Sequence, residues 1–81
     1  MPHYFFHTAN GERHRDRSGV DLPDDAAARV EAIRFTGAVM TDEPDVLWDG
    51  RDFRVEVTDA EQRPLFTIIT LAVDAPRFAS E

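Results

Sequence analysis

Two stretches, Phe53-Arg54-Val55-Glu56-Val57 and Leu65-Phe66-Thr67-Ile68-Ile69-Thr70-Leu71-Ala72-Val73, decide the fold. In the first, apolar and charged residues alternate. A strand turns successive side chains to opposite sides, so Phe53, Val55 and Val57 are expected inside and Arg54 and Glu56 in water. The second is largely apolar on both sides. Leu65, Thr67, Ile69, Leu71 and Val73 form one row, and Phe66, Ile68, Thr70 and Ala72 the other. That pattern belongs to a central strand or to a sheet covered on both sides. Asp59 to Pro64 reads as the turn between the two strands. Asp74-Ala75-Pro76 stops the second, and residues 77–81 are expected to be a frayed tail.

The rest of the chain supplies the other strands and a helix. Tyr4-Phe5-Phe6-His7-Thr8 is an aromatic run of strand length. Asn10-Gly11 is a hairpin signal, because a two-residue turn of this kind needs positive φ at both positions. Glu12 to Asp16 reads as a short return strand whose charges suit a sheet edge. Ser18-Gly19 makes another turn. A helix is expected from Asp21-Leu22-Pro23-Asp24-Asp25 to about Met40, with Pro23 in the first turn and Asp21 or Asp24 as the cap. Wound at helical pitch it shows two apolar stripes. Ala28, Ala32, Phe35 and Val39 form the core stripe, and Ala26, Val30, Ile33, Gly37 and Met40 are expected to widen it. Val46 to Gly50 reads as a loop or a short bridge strand. Strand, strand, helix, strand, strand makes a two-layer α+β domain over residues 1–76, an antiparallel sheet with one helix on one face.

Composition narrows the function. The 81 residues suffice for one small domain. No cysteine is present, which excludes disulfides, thiolate metal sites and cysteine nucleophiles. Sixteen acidic against nine basic residues give a net charge of −7, which opposes binding to a phosphate backbone. All nine basic residues are arginine. The one basic cluster, Arg13-His14-Arg15-Asp16-Arg17, is diluted by its own acid and by Glu12 and Asp21. No apolar run reaches the length of a membrane span, and Met1-Pro2-His3 does not begin like a signal peptide, so the expected compartment is cytoplasmic.

Met1-Pro2-x-Tyr4-Phe5-Phe6-His7, Asn10-Gly11 and Asp16-x-x-Gly19-Val20-x-Leu22-Pro23-Asp24 stand in this order. Arg29, Glu31-Ala32, Val55-x-Val57-x-Asp59 and Arg63-Pro64-Leu65 follow. Together these motifs resemble a family of small alphaproteobacterial proteins, rhizobial in type, of unknown function. The resemblance implies a compact intracellular domain, and it carries no catalytic residue over. The family's turn before Arg63-Pro64 looks glycine-bearing, whereas this chain has Gln62. A positive φ there would strain the glutamine.

The residues offer little chemistry. His3 and His7 share one side of a strand but stand roughly 13 Å apart, too far to grip one ion. His7 meeting His14 across the hairpin, with Glu12 or Asp16 nearby, would make a weak three-ligand site at most, and histidines on a sheet surface are the expected reading. No residue reads as catalytic, cofactor-binding or metal-ligating, and no cofactor is implied. If Tyr4 and Phe6 face the helix, Phe5 and His7 face away, joined by Arg54 and by one row of the last strand. That row is expected to be Phe66 and Ile68, with Leu65, Ile69 and Leu71 in the core. An uncovered apolar sheet face marks a contact surface. The expected function is therefore a non-enzymatic interaction module, a homodimer or a partner of another protein, binding neither nucleic acid nor membrane. The alternative is a regulatory ligand-binding domain with a pocket near Trp48.

Overall fold

The computed structural model describes residues 1–48 and 51–76. Its elements are β1 (His3–Ala9), β2 (Arg13–His14), β3 (Val20–Asp21), α1 (Asp25–Asp42), β4 (Phe53–Thr58) and β5 (Pro64–Thr70). The α+β architecture is the expected one: a five-stranded antiparallel sheet with the helix against it. The strand order is β2-β1-β4-β5, with β3 pairing β1 off this path. The return strand is shorter than expected, two residues instead of five, and β3 is an addition. β2 joins the end of β1 at Thr8 and Ala9, and β3 joins its start at His3 and Tyr4. Residues 77–81, the expected tail, lie outside the described residues, as do Asp49 and Gly50.

The turns explain the departures. Ala9 pairs with Arg13, so the first hairpin loop holds three residues, Asn10 to Glu12. Of these only Gly11 has positive φ, at 97°. The expected two-residue turn is thereby replaced by a longer one. The β4–β5 turn has the same size. Gln62 N–H donates to the Asp59 carbonyl at 3.0 Å, and Asp59 N–H to the Arg63 carbonyl at 3.0 Å. Gln62 sits at φ 66°, the left-handed region that follows a tight turn in three-residue hairpins.

One residue beyond that turn the register shifts. Thr58 pairs with Pro64, but Val57 pairs with Phe66, so Leu65 is an extra residue in β5. A one-residue slip sends every later side chain to the opposite side. Without it Leu65 would face Val57 and join the core row. With it Phe66 lies beside Val57 and Ile68 beside Val55, on the helix side.

The core consists of Tyr4, Ala28, Ala32, Phe53, Val55 and Val57, with Phe6, Phe35, Val39, Phe66 and Ile68 packed against it. The two alanines carry no bulk, so the helix axis lies close to the sheet. Asp24 is the N-cap, its carboxylate accepting from Ala27 N–H at 2.9 Å. Pro23 stands one residue outside the cap instead of in the first turn. The Tyr4 hydroxyl donates to Asp25 at 2.7 Å and ties β1 to the helix start. That hydrogen bond, with burial, pushes the Tyr4 pKa up to about 12. Val30 and Ile33 do not widen the core. They lie on the far side of the helix and are exposed, because one sheet engages only one stripe.

Two substitutions test these local readings. Asp24→Ala removes the cap and is expected to cost about 1 kcal/mol in thermal unfolding. Gln62→Gly relieves the left-handed strain against a greater unfolded-state entropy, and should raise stability by about 0.5–1 kcal/mol. A lower melting temperature would mean that the left-handed strain at Gln62 is smaller than the entropy glycine adds to the unfolded chain.

Candidate functional site

The sheet has one side covered by α1 and one side open. Cross-strand partners share a side, so Phe5 and Thr58, then His7, Glu56 and Thr67, then Ala9, Arg54 and Ile69 make up the open side. Its two charged residues are satisfied within the chain. Arg54 pairs with Asp52 at 2.9 Å and Glu56 with Arg13 at 2.6 Å. The apolar part lies at the β5 margin, where Ile69 is 50% exposed, Leu71 is 59% exposed and Leu65 is also open to solvent.

The residues expected on this surface divide. Phe5, His7 and Arg54 are on the open side. Phe66 and Ile68 are not. Both pack against the core, because the extra residue at Leu65 reverses the two rows of β5. Their place is taken by Ile69, while Leu65, the inserted residue, and Leu71, past the strand end, are exposed; sequence reasoning assigned all three to the core. A strand apolar on both rows gives no signal for choosing between them. Trp48 is 60% exposed. The nearby cleft of about 750 Å³ takes Val46 and Arg51 from either side of it but not Trp48 itself. Glu12, Asp42, Glu43 and Asp45 line that cleft and make it acidic.

The histidines of β1 do different work. His7 is 3% exposed. Its Nδ1 accepts from Asp16 N–H at 3.0 Å, so its Nε2 carries the proton and faces Thr58 Oγ1 at 3.3 Å. Both nitrogens are used, and His14 sits opposite Thr8, not His7. Among the described residues, no group of three or more histidine, aspartate or glutamate side chains is placed to hold a metal ion. Phe5 lies between the two imidazoles, edge-on to His3 at 5.0 Å and stacked on His7 at 6.1 Å.

His3 faces two acceptors. Its Nδ1 lies 2.6 Å from Asp21 Oδ1 and its Nε2 lies 2.8 Å from the Ser18 carbonyl. Only the doubly protonated ring satisfies both. The bond to Asp21, then that to Ser18, raises the His3 pKa above the ordinary 6.5. Gly19 makes room for this clamp. A Cβ there would stand 2.7 Å from the Tyr4 carbonyl, and its φ is 67°. Asp21, one expected helix cap, is thus occupied by His3.

Asp16 organises the stretch between β2 and β3. It accepts from Phe6 N–H at 3.1 Å and from Ser18 and Gly19 N–H at 3.0 Å each. Burial works against its charge, and the N–H groups of Gly19, Phe6 and Ser18 outweigh burial, so the carboxyl is held below its ordinary value. The carboxylate fills in for a strand that β2 and β3 leave interrupted.

Residues 3–72 match the family described as a domain of unknown function (DUF6894), and the chain belongs to that family. No curated protein and no solved structure matches the chain. Among the described residues, no helix is long and apolar enough to cross a membrane.

The His3 clamp carries a pH dependence. A raised folded-state pKa contributes stability that is complete below the unfolded value of 6.5 and is lost as pH rises through the folded value. The difference in melting temperature between the wild type and His3→Ala is therefore expected to be largest near pH 6 and to shrink as pH rises above 6.5. A difference that stays constant from pH 6 to pH 9 would show that the ring is not held as an imidazolium.

Proposed function

We propose that this domain is a non-enzymatic interaction module that self-associates through the open side of its sheet at the β5 margin. One observation carries the reading. Ile69 stands half exposed on a sheet face that no helix covers, and Leu71, just past the end of β5, is 59% exposed. Small domains rarely leave such a cluster in water unless something covers it. The bound histidines and internally paired charges of the same face leave no free acid or base for chemistry. A net charge of −7 disfavours nucleic acid as the partner. The bacterial, cytoplasmic setting is the one that the family resemblance implies, and no cofactor is invoked.

Light scattering on the purified chain tests this. The wild type is expected to be a dimer that Ile69→Arg converts to a folded monomer, with circular dichroism unchanged. The control is Val30→Arg on the far side of the helix, expected to remain dimeric. A wild type that stays monomeric at high concentration overturns the reading. So does dissociation by Val30→Arg with Ile69→Arg still dimeric.

A further inference from the structure

The contact can be placed more closely than the face alone, on the basis of the self-association proposed above. β5 is the last strand in the sheet order, and no described strand pairs with its outer edge. Such an edge offers a row of N–H and C=O groups to any other strand, and folded proteins normally blunt it with charge, brevity or a covering element. Here the contrast within one sheet is sharp. The end of the sheet beyond β1 carries two strands of two residues each, bearing Arg13, His14 and Asp21. β5 runs for seven residues, Pro-Leu-Phe-Thr-Ile-Ile-Thr, without one charge, and its only proline is the first residue. The usual safeguards are confined to its start, Pro64 and the bulge at Leu65, and from Phe66 to Thr70 there is none.

We infer that the partner is a second copy of this chain, whose β5 pairs antiparallel with β5 across a two-fold axis at Thr67. The midpoint of the strand fixes the axis. Centred on Thr67, Phe66 of one copy lies opposite Ile68 of the other on the helix side, and beyond that pair Ile69 on the open side meets the bulge at Leu65. Each apolar residue between Leu65 and Ile69 meets an apolar residue, and threonine meets threonine at the centre. A two-fold contact uses the same patch twice, so a self-complementary strand satisfies it without a foreign sequence. Charge points the same way. The chain is strongly acidic, yet β5 is uncharged and the neighbouring Arg54 and Glu56 are already paired within the chain. Two copies can therefore meet here without bringing like charges into the contact. Pairing joins both sheets into one continuous sheet.

The absence of native cysteine makes a direct test available. Thr67→Cys would be the chain's sole thiol. Residues directly opposite in an antiparallel pair have Cα atoms roughly 4.5–5.5 Å apart, within the range a disulfide spans. Under mild oxidation Thr67→Cys is expected to form a covalent dimer at least tenfold faster than Ala60→Cys, which lies in the turn far from the axis. Leu65→Cys and Ile69→Cys should each cross-link slowly alone and rapidly when mixed. Circular dichroism on each variant confirms the fold. A wild type that is dimeric by light scattering, with Thr67→Cys no faster than Ala60→Cys, overturns edge pairing while leaving self-association standing. Rapid linking of Leu65→Cys or Ile69→Cys to itself overturns the Thr67 axis. A monomeric wild type overturns both proposals.

Discussion

The extra residue at Leu65 sets which side of β5 belongs to the molecule's own core. Upstream of it the turn is closed by Asp59, whose carboxylate accepts from Glu61 and Arg63 N–H at 2.9 Å each and from the Arg63 guanidinium. Downstream, Val57 is already committed to the core by its pairing with Phe6. The bulge reconciles these two constraints, since a turn of this length without it would bring Leu65 to Val57. Phenylalanine fills more space than leucine at that position, and Ile68 then follows beside Val55. Ile69 of the other row is left in water as a consequence.

The opposite end of the sheet is solved by polar chemistry. β1 needs a neighbour along its whole length, but the chain supplies only two-residue strands at either end. The gap is closed by one carboxylate. Asp16 takes the Phe6 N–H that a strand would have taken, and its own N–H goes to His7. Burying that carboxylate without donors would be costly, and three backbone N–H groups offset the cost. His3 then locks the other end through Asp21 and Ser18. The aromatic ladder His3, Phe5, His7 is therefore structural on its exposed side as well. His3 and His7 each have both ring nitrogens engaged, and Phe5 lies between them.

Much of this was legible before any coordinates. Period-two alternation placed Phe53, Val55 and Val57 in the core, and the Pro23-Asp24 start located the helix, because both signals are local. The left-handed turn at Gln62 was legible through its contrast with a glycine-bearing family pattern. What could not be read was the side of β5. Both of its rows are apolar, so the choice rests on a single inserted residue whose cause is the geometry of the preceding turn. The roles of Asp16 and His3 were hidden for a related reason. Asp16 bridges to the Phe6 N–H ten residues away, and His3 to the Ser18 carbonyl and the Asp21 carboxylate fifteen and eighteen residues away, and sequence reports residue types but not the partners that the fold brings to them. The second helix stripe misled because two stripes on one helix compete for one sheet, and only the closer packing of Ala28 and Ala32 decides.

Width explains why the uncovered surface collects at β5. A helix with its side chains is about 10–12 Å across, and strands are spaced roughly 4.8 Å apart. One helix therefore covers about two strands of a four-strand path. In this domain α1 sits over β1 and β4, whose Tyr4, Val55 and Val57 are the fully buried side chains. β5 lies beyond its reach on one side and has no cover on the other, so even Phe66 and Ile68 are only partly enclosed. Adding a further helix would have required a longer chain. A neighbouring strand needs only the polar groups that β5 already presents, and it shields side chains on both faces of the strand at once. For a domain with one helix, lengthening the sheet covers more of β5 than stacking on it, and that favours an edge contact over a face-to-face one.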